Sequence, residues 1–203
     1  MPILFVQNFW AGLSVWILLF ISDYTLTLVC ARLYQKGVRD KIVFEGSYEL
    51  TPYFQRDIDS LRIVSPRFIA ALALNSTLLF IIWWLAPPAV SQWYVFLLGA
   101  LILTQMSIHI RHLRNLFIFR AAATDAVRGR IEYARPVSLR GSSVEMLAFS
   151  GMFLVLFVFT QSWFILGGGV ACFGLAAKHW RLARKHVSAV AVGAEKPASA
   201  SMS

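Results

Sequence analysis

The chain has 203 residues, 58% of them apolar and only 14% charged, and it carries a formal charge of +9. A typical soluble domain has roughly 45–50% apolar and about 25% charged residues, and the apolar runs here are too long and continuous for the core of a water-soluble fold. Nor does the charge read as a nucleic-acid footprint, because no base-reading motif accompanies it; all 19 Lys and Arg residues fall within residues 32–67, 111–140 and 178–196, between the apolar runs, as the positive-inside rule and anionic inner-leaflet headgroups favour.

No positive charge precedes the first apolar run and no small-residue cleavage site follows it, so residues 9–31 are expected to stay as span one. The helix continues to Tyr34, and Gly37 supplies a C-terminal stop. Arg32, Lys36, Arg39 and Lys41 place this end inside and the N-terminus outside. Residues 35–66 form a cytoplasmic loop, extended or irregular over residues 42–50. Thr51 and Pro52 then open a short amphipathic interfacial helix, with Phe54, Ile58 and Leu61 on its apolar face and Arg56, Asp57, Asp59 and Arg62 facing elsewhere.

Ser65 and Pro66 cap span two, residues 68–86, which ends at Pro87 and Pro88 with Trp83 and Trp84 in the outer aromatic belt. Residues 90–92 form an external turn, span three runs over residues 93–108, and its helix continues to about Ala123. A second cytoplasmic loop, residues 120–143, carries Arg128, Arg130, Arg135 and Arg140. Span four covers residues 144–161, and a turn at Ser162 leads to span five, residues 164–177. That segment is short for a perpendicular crossing, which leaves four spans plus a re-entrant segment as the alternative. Lys178, Arg181, Arg184 and Lys185 mark its inner end, and residues 187–203 read as a disordered cytoplasmic tail.

The expected fold is thus an all-α integral membrane protein. Residues 1–186 form one domain, a bundle of five transmembrane helices in the plasma (inner) membrane with the N-terminus outside and the C-terminus inside. Only this topology puts all 19 basic residues on one face.

Polar residues left within the spans are the candidates for function. Asp23 lies well before the basic flank of span one, and a carboxylate in hydrocarbon costs at least about 2.5–3.5 kcal/mol on insertion scales. At 100° per residue it shares a face with Gly12, Trp16, Leu19, Thr27, Cys30 and Tyr34, so this face points into the bundle. Span three places Gln105, His109 and His112 on one face, with Thr104, Ser107, Arg111 and Arg114 largely on the other. A histidine beside Asp23 suits a proton relay. Arg111 and Arg114 suit either headgroup contact, the preferred reading for Arg114, or an anion clamp. Asn75 heads a polar triplet with Ser76 and Thr77 near the depth of Asp23, and Glu145 opens span four as ordinary N-terminal helix charge. Gly167, Ala171 and Gly174 make a small-residue stripe for close packing.

His109 and His112 lie one turn apart, but with Asp23 and Glu145 as the only acidic candidates they do not define a metal site, and no cofactor is implied. Cys30 and Cys172 read as buried structural thiols. No phosphate-binding glycine loop or nucleophile elbow occurs. The expectation is therefore a small oligomeric channel or secondary transporter subunit for protons, cations or a small solute, acting as a homo-oligomer or within a larger membrane complex. Asp23, Thr27, Asn75, Gln105, His109, His112, Arg111 and Glu145 are its polar residues. The alternatives are a membrane enzyme acting on a lipid or isoprenoid at the inner interface, with His109 or His112 as base, and an accessory or scaffold subunit.

Overall fold

The computed structural model describes residues 8–85, 91–124 and 126–194. Its elements are α1 (Phe9–Gln35), a 3-10 turn (Val38–Asp40), β1 (Ile42–Phe44), α2 (Pro52–Asp59), α3 (Pro66–Leu85), α4 (Ser91–Ala123), β2 (Ile131–Tyr133), α5 (Arg135–Thr160) and α6 (Trp163–Ala194). Four helices, α1, α3, α4 and α5, are long and apolar enough to cross a membrane. The chain is a helical membrane protein.

Helix α4 is central. It packs against α1 on one side and α6 on the other, while α6 also packs along α5. The predicted face of α1 is the one that packs: Gly12, Trp16, Thr27, Cys30 and Tyr34 are all buried. The α4–α6 contact depends on two glycines. A Cβ on Gly99 would overlap the Phe164 carbonyl, and one on Gly167 would overlap the Phe96 carbonyl, so the two backbones touch. The expected stripe on α6 is only partly used, because Gly174 meets nothing within 4 Å while Gly168 and Gly169 pack against Leu103 and Leu154. The α6 contact also buries the face of α4 that carries Ser107, where Cys172 Sγ lies 3.7 Å from Ser107 Oγ and 3.8 Å from Thr104 Oγ1. Both cysteines are buried and free.

Helices α5 and α6 run antiparallel. Ser143 Oγ donates to the Ala176 carbonyl and Ser150 Oγ to the Gly169 carbonyl, each at 2.8 Å. Helix α6 is unbroken from Trp163 to Ala194, past Val187, where an irregular tail was expected; its Ala-rich sequence has the propensity to continue. Residues 195–203 of that tail, Pro87, Pro88 and Val90 lie outside the described residues. Ser91 and Gln92, expected in the external turn, already belong to α4.

At the basic end the two expected loops are tied together. β1 and β2 pair in parallel, Ile42 opposite Ile131 and Phe44 opposite Tyr133. The second loop is shorter than residues 120–143, since α4 runs to Ala123 and α5 begins at Arg135. Pro136 sits in the first turn of α5, and Glu45 from the first loop accepts the Arg135 backbone N–H at 2.8 Å. The helix start is thus capped from 90 residues away, which no local pattern reveals. Lys41 Nζ donates to the Ala122 carbonyl at 2.8 Å and so caps α4 in the same cross-loop manner.

Helix α2 starts at Thr51-Pro52 as expected, and Ile58 is buried on its apolar face. Asp57, expected to face elsewhere, is buried too: Ser65 Oγ donates to its Oδ2 at 2.5 Å, and Arg62 lies 3.6 Å from its Oδ1. Ser65 also receives the Phe68 N–H at 3.2 Å, so one serine caps α3 and ties it back to α2.

Gly167→Leu should lower stability by at least about 1–3 kcal/mol through backbone separation of α4 and α6. Gly174→Leu should stay within about 0.5 kcal/mol of the parent. Thermal unfolding of the two variants in the same detergent checks the contrast.

Candidate polar site at the basic end of the bundle

The ends of α1, α4 and α5 enclose two cavities beneath the first loop. The larger, about 450 Å³, lies between α4, α5 and the β1–β2 pair, and its wall includes Phe44, Tyr48, Glu49, Arg111, His112, Arg114, Asn115, Phe119, Tyr133, Ser142 and Glu145. The smaller, about 130 Å³, lies between α1, α2 and α4 and includes Asp23, Tyr24, Thr27, Glu49, Gln105, Arg111 and His112. Glu49, Arg111 and His112 belong to both walls. The larger volume falls within the range of small-molecule sites.

Asp23, Thr27 and His112 form one polar group. His112 Nε2 lies 3.2 Å from Asp23 Oδ1 and 3.2 Å from Thr27 Oγ1. The Thr27 hydroxyl spends its single proton on the Asp23 backbone carbonyl, 2.9 Å away, and therefore accepts from His112. With the ring proton on Nε2, the imidazole N–H points at the threonine. Asp23 Oδ1 sits at ion-pair distance but has no hydrogen-bond partner, and neither does His112 Nδ1; both atoms are buried. An unsatisfied buried oxygen and nitrogen beside a cavity are the places where a proton or water can enter.

A second chain of bonds fixes Arg111. Its Nη1 donates to Ser142 Oγ, which is also hydrogen-bonded to His179 Nδ1 at 2.9 Å. Ser142 and His179 are both buried. Among the described residues no carboxylate lies within ion-pair distance of Arg111. Arg114 instead pairs with Glu145, so it is not simply a headgroup contact. Glu145 lies well inside α5, because that helix starts at Arg135, and it is not N-terminal helix charge.

The first loop closes the site. Asn115 Nδ2 donates to the Tyr48 hydroxyl at 3.3 Å, and burial pushes the Tyr48 phenol far above its ordinary range, which keeps it neutral. Glu49 Oε1 accepts the Thr51 N–H at 2.7 Å at the start of α2.

Of the residues singled out from sequence, Asp23, Thr27, Gln105, Arg111, His112 and Glu145 line these cavities. His109 and Asn75 do not join them. His109 Nδ1 donates to the Gln105 carbonyl on its own helix at 2.7 Å, and Asn75 Nδ2 to the Ala71 carbonyl at 2.8 Å. Sequence reasoning missed Tyr48, Glu49, Asn115, Ser142 and His179. Only Asn115 had a signal, one turn beyond Arg111 on the same helix. No group of three or more His, Cys, Asp or Glu residues among those described converges as a metal site. No family model, curated protein or solved structure matches the chain.

A double-mutant cycle of Asp23→Asn with His112→Gln should give a coupling energy of about 0.5–3 kcal/mol. The half-exposed Arg114–Glu145 pair should give no more than about 1 kcal/mol with Arg114→Gln and Glu145→Gln. Chemical unfolding in nanodiscs measures both, and additive effects at Asp23 and His112 would refute their pairing.

Proposed function

We propose that this protein is a proton-coupled secondary transporter subunit whose solute site is the larger cavity and whose proton carrier is the Asp23–His112 pair. The observation that carries the reading is the pair's geometry: an acid and a base at ion-pair distance, each keeping an unpartnered atom, between two cavities. A dry structural pair would have closed the imidazole N–H onto the carboxylate. Here a proton taken up at Asp23 Oδ1 changes the charge of the smaller cavity's wall, and one taken up at His112 Nδ1 changes the charge of the wall that both cavities share.

Five spans complete the reading. Helix α6 retraces α5 from Gly169 to His179 and so returns the chain to the basic end. With that end cytoplasmic, the N-terminus lies outside and the C-terminus inside, in the plasma membrane. Five spans enclose little volume, so self-association into a homo-oligomer belongs to the proposal.

In a variant lacking Cys30 and Cys172, a cysteine at Ser162 should react with an impermeant maleimide from outside intact cells. One at Arg128 should react only after the inner face is opened. Labelling of both sites from the same side would remove the five-span topology.

In proteoliposomes with an entrapped pH dye, Asp23→Asn and His112→Gln should each abolish proton uptake driven by an imposed gradient, whereas Asn75→Ala should leave it intact. Unchanged uptake in Asp23→Asn eliminates the proposed carrier.

A further inference from the structure

The charges on the wall of the larger cavity do not balance locally. Arg114 is neutralised by Glu145. Glu49 holds the Thr51 N–H at the N-terminus of α2, where the helix dipole favours a negative charge. Arg111 alone is held by neutral partners, the Ser142 hydroxyl backed by His179, so its position is fixed while its charge stays uncompensated within ion-pair distance among the described residues. The same wall carries a set of apolar and aromatic side chains, Phe44, Ile118, Phe119, Tyr133 and Val137. A guanidinium at one side of an apolar pocket fits a ligand with an acidic head and a hydrocarbon body.

We infer that the larger cavity binds an amphipathic anion, its carboxylate or phosphate head on Arg111 and its apolar chain against the wall between β1–β2 and α4. The inference rests on the reading of this cavity as the solute site and names the class of solute. A bilayer lipid with an acidic headgroup and a free amphiphile share this chemistry.

Decyl phosphate, decanol and inorganic phosphate are the probes, titrated calorimetrically into the full chain in phosphatidylcholine nanodiscs with empty discs subtracted. Saturable binding of decyl phosphate is expected, with decanol and inorganic phosphate each at least about tenfold weaker, the loss of a charge-assisted contact or of apolar burial. Arg111→Gln should weaken decyl phosphate by about tenfold or more and leave decanol unchanged, and Arg111→Lys should recover part of the loss. Gly141 lines the same cavity and a Cβ on it meets nothing within 4 Å, so Gly141→Phe should fill the space and weaken decyl phosphate without disturbing Arg111.

Equal affinity for decanol and decyl phosphate overturns the inference, as does wild-type binding by a folded Arg111→Gln or Gly141→Phe protein. Nanodiscs containing phosphatidic acid separate the sources: competition with decyl phosphate assigns the site to a lipid, absence of competition to a free amphiphile, and either result supports the shared chemistry. The assay uses no gradient. Lost proton uptake in Asp23→Asn together with unchanged decyl phosphate binding in Arg111→Gln therefore defeats the inference and spares the transport reading. The opposite pair of results does the reverse.

Discussion

Arg111, His112 and Arg114 follow one another along α4 before that helix has cleared the bundle, and polar groups in hydrocarbon must find protein or water. The architecture of the basic end answers this constraint. Helix α1 brings Asp23 and Thr27 to His112, and α5 brings Ser142 to Arg111 and Glu145 to Arg114. Helix α6 supplies His179 behind Ser142, and the first loop lays Tyr48 over Asn115. No single neighbour could satisfy this stretch, because its polar groups point around α4 in several directions. That is why α4 must be the central helix rather than one lying at the edge.

Depth is set elsewhere along the same helices. The glycine contacts Gly99–Phe164 and Gly167–Phe96 lie near the N-terminal ends of α4 and α6, about three to four turns from Arg111 and His179. Backbone contact there leaves no freedom for α6 to slide, and the Ser143 and Ser150 bonds then fix α5 against α6. The bond chain from Arg111 through Ser142 to His179 therefore follows from small residues far from it. A larger side chain at Gly167 acts on the polar site without touching it.

The helical part of this arrangement was legible because helices report their faces through a fixed period. The face from Gly12 to Tyr34, the Ser65 cap and the Thr51-Pro52 start all come from local spacing. The polar site was legible only where a residue was out of place in an apolar run, as Asp23, Gln105 and His112 are. Residues whose role is set by a partner distant in sequence left no trace. Glu45 caps a helix 90 residues away, β1 finds a parallel partner in the second loop, and Asp57 looks like surface charge until Ser65 folds over it. His179 sits beside Lys178 and Arg181, where a basic flank hides it. His109 shows the converse, the same residue type on the same face with its Nδ1 bonded back to its own helix and its buried Nε2 without a partner.

Thr27 sets how the Asp23–His112 pair meets. A buried donor or acceptor left without a partner costs about 1–3 kcal/mol, so a pair kept only for stability would direct the imidazole N–H at the carboxylate. Thr27 stands one turn beyond Asp23, and its hydroxyl is turned by the Asp23 carbonyl so that only a lone pair faces the ring. With the ring proton on Nε2 it takes the N–H at 3.2 Å and leaves Asp23 Oδ1 without a hydrogen-bond partner. The helix backbone thus dictates the threonine's orientation, the threonine dictates the ring's, and the ring leaves the carboxylate oxygen unsatisfied. The one acid of span one thus keeps an oxygen without a protein partner beside a cavity with room for a water.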